Sequence, residues 1–522
     1  MVSAVSPAPG AIRLTSTQGR WVLAATVLGS SMAMLDGTVV NVALPTIGKS
    51  LHTGLAGLQW TVTAYTLTLA GLILLGGALG DRHGRRRIFV IGVIWFALAS
   101  ALCGLAPDIG VLIAARALQG IGGALLTPGS LAIIQAAFAA DDRPKAIGAW
   151  SGLGGVAGAV GPLLGGWIIG AVGWRWIFLL NLPLAAAVVA VTVRHVPETR
   201  DPTSHGRFDW TGAILAALAL AGITYALIEA PGKGLARAAL IGAAGILAGV
   251  GFVLLERRRG RAGSGTPPMV PLDVFASRQF TAVNVVTFVI YAALSATLFL
   301  LVLQLQVVSG YTPLQAGLSL LPLTLLMLLL SARAGALAQR VGPRWLMTAG
   351  CLLCGVGLLL AVRIGPHASY VADVLPAVVL FGLGLSAVVA PLTATVLASA
   401  DVRHAGVASG VNNAVARAAG LFAVAGLPLV VGLTGDAYQN PTAMNSGFHK
   451  AMVICAGLLV IAAVLSVLTI DNDVLRTEPE HPVAQPECLT CLPINAPPLE
   501  PGNPAEAPSG PVNRVEAPPQ AH

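Results

Sequence analysis

Two charged residues lie inside long apolar stretches of the sequence, and their chemistry suits the exchange of a proton. Arg116 is followed by Gln119, Gly120 and Gly123 at i+3, i+4 and i+7, which places all four residues on one helix face. Asp36 is a lone carboxylic acid in another apolar stretch. A charge inside a membrane-spanning helix is costly unless it is paired or hydrated, so it marks a functional path by default. We interpret Asp36 and Arg116 as candidate proton-coupling residues.

The two charges fall at similar depths if both stretches span a membrane. Asp36 lies about 15 residues, or roughly 22 Å, into the first stretch, and Arg116 lies about seven residues, or roughly 10 Å, below the outer end of the fourth. Both positions are in the outer half of a layer about 30 Å thick. Burial favours the neutral acid, whereas a nearby guanidinium favours the carboxylate. A change in their separation would therefore load or unload a proton on Asp36; a purely structural ion pair is the alternative.

These residues must be positioned by helices that cross a membrane. Of the 522 residues, 56% are hydrophobic and only 10% are charged, and the mean hydropathy is +0.81. A bilayer core takes about 20 helical residues, and the sequence contains fourteen apolar stretches of that length. Such unbroken runs favour helices over a β-barrel. The expected fold class is an all-α polytopic membrane protein.

The distribution of Lys and Arg in short loops predicts the orientation. With both termini in the cytoplasm, 22 of the 30 Lys and Arg residues lie on the inner side and six on the outer side. We therefore expect a multi-pass protein of the plasma (inner) membrane, with no removable signal peptide. Topology and contact with anionic membrane lipid explain the net charge of +8, and we expect no nucleic-acid partner.

A basic turn occurs twice in the same orientation. Residues 77–86 read GALGDRHGRR and residues 335–344 read GALAQRVGPR, with six of ten positions identical. This repeat indicates a duplicated membrane unit, and parallel units around a midplane site are typical of transporters.

The duplication predicts two six-helix bundles with two extra helices inserted between them. The chain after residue 470 is rich in proline, and we expect this tail to be disordered and cytoplasmic. The tail contains Cys488 and Cys491 near His481; a metal or redox site there would lack partners, so we expect reduced thiols and no metal. The predicted segments are a cytoplasmic N-terminal tail (1–20), the first bundle (21–196), a cytoplasmic linker (197–208), the extra helices (209–257), a second cytoplasmic linker (258–278), the second bundle (279–470) and the tail (471–522).

The first copy of the basic turn contains an acidic residue in an unusual place. Asp81 ends an inward-running helix and so lies at the negative end of the helix dipole, where it needs a positive partner. Nearby arginines, or the N-terminus of a helix in the other half, could serve; the second copy has Gln339 instead. A solvated loop is the alternative to a latch that engages in one conformation. The candidate latch residues are Asp81, Arg82, Gly84, Arg85 and Arg86.

The fifth stretch carries a stripe of glycines spaced by four, three and four residues. A strip without side chains lets another helix approach closely, and a proline inside it can bend the span. We expect this groove to control how the two bundles meet. Its candidate motif residues are Gly154, Gly158, Gly161, Pro162, Gly165 and Gly166.

Polar residues form weaker stripes in several other stretches. They either line a central cavity or form hydrogen bonds between helices, and the sequence does not separate these alternatives. The candidate cavity residues are Tyr65, Gln119, Tyr291, Ser295, Asn413 and Arg417.

Over about residues 21–470, the chain resembles the fourteen-helix drug:proton antiporter branch of the major facilitator superfamily. The segments that carry the resemblance are LDGTVVNVALP (35–45), the loop 77–87, RALQG (116–120), GPLLGG (161–166) and WRWIFLLNLP (174–183). The resemblance implies export of hydrophobic compounds by alternating access in exchange for protons. It associates Asp36 and Arg116 with proton coupling, Asp81 with the latch, and Gly161 and Pro162 with the antiporter signature. One glycine of the family pattern is replaced by Ala157.

The expected function is therefore proton-coupled export of small hydrophobic drugs or antibiotics by a monomer, driven by the proton gradient without a cofactor. No GxxxxGK[ST] motif for ATP occurs. Proton-linked uptake is the alternative within transport. A polytopic membrane enzyme is a remote alternative, because the acidic pair Asp141 and Asp142 has no second acidic cluster to complete a metal site; a sensor would need an output domain, which we do not recognise.

Overall fold

The computed structural model describes residues 12–139, 141–200, 209–261, 268–399 and 405–475. Within this part of the chain, fourteen helices are long and apolar enough to cross a membrane, as predicted. They are α1 (Thr17–Ser50), α2 (Leu55–His83), α3 (Arg85–Gly104), α4 (Ile109–Ala137), α5 (Arg143–Ala171), α6 (Trp176–His195), α7 (Trp210–Gly232), α8 (Leu235–Arg259), α9 (Arg278–Val308), α10 (Pro313–Val341), α11 (Pro343–Ala361), α12 (Tyr370–Ala398), α13 (Val407–Val430) and α14 (Pro441–Thr469).

Local capping sets where these helices begin. The Ser16 side chain accepts a hydrogen bond from the backbone of Gly19 at the start of α1, and Asp108 does the same for α4. Asn440 caps α14, and Pro441 occupies its first turn. The last helix begins seven residues earlier than its apolar run, which starts near Phe448. Its first residue is set by the N-cap and not by hydropathy.

The repeated basic turns adopt the same backbone geometry. Gly84 joins α2 to α3 with φ +111, and Gly342 joins α10 to α11 with φ +95. Residues with side chains rarely adopt such positive φ values, so glycine is needed at both positions. The two turns occupy equivalent places, between the second and third helices of α1–α6 and of α9–α14.

The inserted helices α7 and α8 pack against each other, and α7 also packs against both halves. Gly222 and Gly245 allow the α7 and α8 backbones to approach closely. On the other side of α7, Ala217 contacts the α2 backbone at Gly71. Near the opposite end of α7, Leu227 faces Gly426 of α13. The insertion therefore packs across the seam between the first and second halves.

The two halves are hydrogen-bonded to each other at the end of the bundle opposite the basic turns. Gln59, near the start of α2, donates to the backbone oxygens of Val424 and Ala425 in α13 at 2.8 and 3.0 Å. Further hydrogen bonds at this end join Leu55 N to Gly435 O, Tyr438 Oη to Thr53 O, and Gln306 Nε2 to Val42 O. This end of the seam is closed.

Candidate functional site

The predicted pairing of Asp36 with Arg116 is present. Arg116 Nη1 of α4 lies 2.5 Å from Asp36 Oδ2 of α1, and each side chain is only 1% exposed. Arg116 Nε also donates to the backbone oxygen of Thr61 in α2 at 3.0 Å. The guanidinium therefore joins three helices of the first half.

Gln119 completes the coordination of the ion pair. Its Nε2 donates to Asp36 Oδ1 at 2.8 Å, and its Oε1 accepts from Arg116 Nη1 at 2.7 Å. Both carboxylate oxygens of Asp36 thus have a donor. The same amide also contacts Ser100 Oγ at 3.3 Å, a neighbour that the sequence interpretation missed because Ser100 lies on α3 without a distinguishing pattern.

The glycines near Arg116 explain how this cluster forms. A Cβ on Gly120 would lie 2.3 Å from the Tyr65 backbone oxygen, so only glycine lets α4 pack this closely against α2. Gly123 continues the contact one turn later, against Leu69. The close approach places the Arg116 guanidinium 4.4 Å from the centre of the Tyr65 ring, which is a cation–π contact.

A cavity of about 560 Å³ lies between the two halves. Four of the candidate cavity residues, Tyr291, Ser295, Asn413 and Arg417, are among its lining residues. Two other candidates, Tyr65 and Gln119, are not among its lining residues. They surround the ion pair instead, because α4 packs tightly on α2.

The cavity and the ion pair lie on the same segment of α1. Gly37 and Asn41 line the cavity, whereas the neighbouring Asp36 turns into the first half towards Arg116. Other polar residues of α9 form hydrogen bonds between helices: Asn412 of α13 donates to Thr287 Oγ1 at 2.9 Å and to Asn284 Oδ1 at 3.3 Å.

The glycine stripe of α5 contacts helices from both halves. Gly161 and Gly165 face Thr38 and Val39 of α1, where a Cβ would lie 2.0 and 2.6 Å from their side chains. Gly154 faces Met34 at an ordinary distance, whereas Gly158 faces open space.

The end of the stripe meets the second half. A Cβ on Gly166 would lie 2.7 Å from Leu314 Cα of α10, and one on Gly317 of α10 would lie 2.2 Å from the Pro162 backbone oxygen. The segment around Pro162 thus forms a backbone-to-backbone contact between the halves, and its partner Gly317 was not predicted.

In the basic turn, Asp81 bonds to an arginine of its own loop. Arg85 Nε donates to Asp81 Oδ1 at 2.9 Å. Arg82 lies in the last turn of α2. Arg86 lies 3.8 Å from the Glu198 carboxylate and donates to the Val196 backbone oxygen. The described contacts of Asp81 and Arg86 are therefore with their own half and with the linker that follows it.

Glu198 was missed as a partner because it follows α6 in a segment interpreted only as a polar linker. Its carboxylate accepts from the backbone N–H groups of Arg86 and Arg87 at 3.1 and 3.2 Å. A carboxylate at a helix N-terminus is favourable because it satisfies free N–H groups and complements the dipole. The sequence carried no local signal for this contact, because Glu198 lies more than a hundred residues from the N–H groups that it accepts from.

Among the described residues, no group of three or more His, Cys, Asp or Glu side chains could hold a metal ion. Cys103, Cys351, Cys354 and Cys455 are buried free thiols. Cys488 and Cys491 lie outside the described residues, as does the predicted Pro-rich tail from residue 476.

Three curated relatives illustrate the sequence similarity. The multidrug resistance protein Stp of Mycobacterium tuberculosis is 38% identical over 396 residues, covering 75% of this chain and 72% of that protein. The puromycin resistance protein pur8 of Streptomyces alboniger is 34% identical and covers 91% and 96%. The tetracenomycin C resistance and export protein of Streptomyces glaucescens is 33% identical and covers 80% and 77%.

Solved structures share the fold at low sequence identity. A crystal structure of the POT family transporter PepTSo has a TM-score of 0.61 at 16% identity, covering 86% of this chain and 97% of that one. A bacterial homologue of the human lysosomal transporter Spinster has a TM-score of 0.61 at 18% identity, covering 89% and 100%. The family model described as Major Facilitator Superfamily matches residues 26–425. Together with its fourteen membrane-spanning helices, this match establishes that the chain is a multi-pass membrane protein that belongs to the major facilitator superfamily.

Proposed function

We propose that this protein is a proton-coupled antiporter that exports small hydrophobic or amphiphilic drugs or antibiotics across the cytoplasmic membrane. The observation that carries the proposal is the Asp36–Arg116 pair, buried on the helix segment that also forms the wall of the cavity. Relatives whose names include drug resistance and export support the direction of transport.

Asp36 is proposed to carry the proton because movement of α1 relative to α4 would separate its carboxylate from Arg116. In the closed cluster, the guanidinium of Arg116 compensates the charge of the carboxylate, and both Arg116 and Gln119 donate hydrogen bonds to it. If α1 moved away from α4, an unpaired carboxylate would remain in a dry site, and that costs several kcal/mol. Taking up a proton removes the charge and this cost. Arg116 would then be balanced by the Tyr65 ring and the Thr61 backbone oxygen.

The cavity is proposed to be exposed to each side of the membrane in turn. With the orientation predicted from Lys and Arg, both termini are cytoplasmic, and the hydrogen-bonded end of the seam, around Gln59, is the outer end. The present conformation would then be closed to the outside. Rocking of the halves would break the outer contacts and bring the basic turns towards the opposite half, where Asp81, Arg82, Gly84, Arg85 and Arg86 would act as the latch.

The proton gradient is sufficient as an energy source without a cofactor. Each 100 mV of driving force delivers about 2.3 kcal/mol per proton, which sustains a concentration ratio of about 50 at about 1.4 kcal/mol per tenfold step. One chain contains both halves and the cavity between them, so we propose that a single chain is the transporting unit, surrounded by membrane lipid.

The test is drug susceptibility of cells that express the wild type or Asp36→Asn, together with cellular drug accumulation before and after an uncoupler. We expect the wild type to protect against at least one compound, Asp36→Asn to lose that protection, and the uncoupler to raise accumulation. Asp373→Asn is the matched control, because Asp373 pairs with the exposed Arg363 away from the cluster. An uncoupler that lowers accumulation would indicate uptake, and export by Asp36→Asn against a gradient would exclude Asp36 as the proton carrier.

A further inference from the structure

The cavity contains one charged side chain among its lining residues, Arg417 of α13. The rest of the described lining is neutral. Its polar members include Asn41, Thr66, Tyr291, Ser295 and Asn413, and its apolar members include Met34, Val62, Leu298, Phe299, Leu421 and Val424. The space between the halves therefore has a positive charge and no carboxylate on its described wall.

The described contacts of Arg417 leave this charge without an anionic partner. Arg417 Nε donates to Asn413 Oδ1 at 2.9 Å, one turn earlier on the same helix, and this acceptor is neutral. The cluster carboxylate, Asp36, already accepts hydrogen bonds from Arg116 and Gln119 on its two oxygens. Within the described chain, no ion pair to Arg417 is formed, in contrast to the buried pair of Arg116.

A guanidinium in such a position attracts an acidic ligand. With Nε bonded to Asn413, the two Nη groups supply the parallel donors that match a carboxylate. Hydrogen bonds to charged groups are stronger than neutral ones, and low dielectric in a partly enclosed cavity increases the attraction. The same field opposes a cationic ligand, for which the described lining offers no carboxylate.

We propose that the cavity selects amphiphiles that carry a carboxylate or a similar acidic group, with this group on Arg417. Tyr291 and Ser295 of α9 would donate further hydrogen bonds, and the apolar body of the ligand would contact Leu298 and Phe299 on that same helix. This inference rests on the proposed function for the direction of transport, but the binding selectivity itself does not depend on transport.

The charge of the cargo changes the energetics of transport. Export of a monovalent anion against entry of one proton is equivalent to moving two positive charges inward per cycle. A membrane potential that is negative inside therefore contributes the energy of two charges to each cycle. Export of a monovalent cation against one proton moves no net charge. An imposed potential without a pH difference should therefore drive export of an acidic cargo in proteoliposomes.

The direct test uses the purified full-length protein in lipid nanodiscs and three fluorescent probes with the same dansyl-octyl body. One probe ends in a carboxylate, one in its neutral N-methylamide and one in an ammonium group. We expect the wild type to bind the carboxylate about 10-fold or more tightly than the amide, and the ammonium most weakly. Arg417→Gln should reduce the carboxylate preference to about threefold or less while the affinity for the amide stays similar.

Two further variants separate selectivity from folding. Arg417→Lys keeps the positive charge but lacks the paired N–H donors of the guanidinium, and it should retain part of the preference for the carboxylate. Arg333→Gln removes an arginine of α10 that is bonded to its own helix at the Leu329 backbone oxygen, and should bind all three probes like the wild type.

The proposal is wrong if the wild type binds the amide or the ammonium probe as tightly as the carboxylate. It is also wrong if Arg417→Gln weakens all three probes equally, since the arginine would then be structural. Either result leaves the proposed export function intact. Conversely, normal carboxylate selectivity together with no uncoupler-sensitive export in cells would refute the export function alone.

Discussion

Gly317 of α10 packs directly on the backbone of Pro162 in α5, so that a Cβ on Gly317 would lie 2.2 Å from the Pro162 oxygen. Because α5 belongs to the first half and α10 to the second, this contact joins the halves without intervening side chains. Such surfaces can slide or separate as rigid units, since no interdigitated side chains need to rearrange. The glycine–proline segment is therefore part of the seam between the two halves.

The first prediction concerns this contact. Gly317→Ala and Gly166→Ala should each destabilise the closely packed state by about 1–3 kcal/mol, because a methyl group would overlap the backbone of the opposite helix. Gly158→Ala is the matched control within the same motif: its Cβ would meet nothing within 4 Å, so stability and export should be unchanged or slightly improved. Thermal unfolding in detergent and export assays check this. Equal effects at Gly158 and Gly166 would contradict it.

The second prediction concerns the ion pair. Arg116→Leu should destabilise the protein by about 3–5 kcal/mol, because it leaves the Asp36 carboxylate buried without its charge partner. In the double variant Asp36→Leu/Arg116→Leu, most of that loss should be recovered, although export should remain absent.

Thermal unfolding of the wild type, both single variants and the double variant gives the coupling free energy. Destabilisation that is simply additive over the two single variants would show that the pair does not act as a unit.

The third prediction concerns the basic turn. Gly84→Ala should cost about 1–3 kcal/mol, because Gly84 has φ +111 and its Cβ would lie 2.6 Å from Glu198 Oε1. Gly77→Ala should be tolerated, because Gly77 lies inside α2 and its Cβ would meet Pro128 only at 3.7 Å. The unfolding midpoints of the two variants test this difference. A Gly84→Ala variant as stable as the wild type would contradict a positive φ at this position.

The fourth prediction concerns the closed end of the seam. Gln59→Leu removes two hydrogen bonds between the halves, each contributing about 0.5–1.5 kcal/mol. The equilibrium should shift by about tenfold towards conformations open at that end. A cysteine at Ser295, which lines the cavity, should then react faster with an impermeant maleimide applied from the side of the α1–α2 connection.

The labelling experiment requires Cys488→Ser and Cys491→Ser; the other four cysteines are buried. Gln18→Leu is the control, because Gln18 donates to the His195 backbone oxygen within the first half and should not alter labelling. Unchanged reactivity in Gln59→Leu would show that this glutamine does not hold the seam closed.

Several features could be predicted from short stretches of the sequence. The pairing of Arg116 with Asp36 could be anticipated because hydropathy places the two charges at a similar depth. Gln119 shares a helix face with Arg116, but it was predicted as a cavity residue and instead bonds to both charges. The equivalent turns at Gly84 and Gly342 could be anticipated from their repeated residues. These features depend on short stretches of chain and on the thickness of the bilayer.

Other features depend on which helices meet. Tyr65 looked like a cavity residue, but close packing at Gly120 places its ring against Arg116. Glu198 was hidden because its partners, the N–H groups at the start of α3, are 111 and 112 residues away in sequence.

The sequence by itself determined the number of membrane spans, the duplicated turn and the buried acid and base, because hydropathy and helical spacing act within one segment. Tertiary structure alone decided which polar stripe faces the cavity and which glycines contact the opposite half. The reason is physical: inside a membrane nearly every helix is apolar all round, so side-chain packing between distant segments, and not hydropathy, selects the face that each helix turns inward.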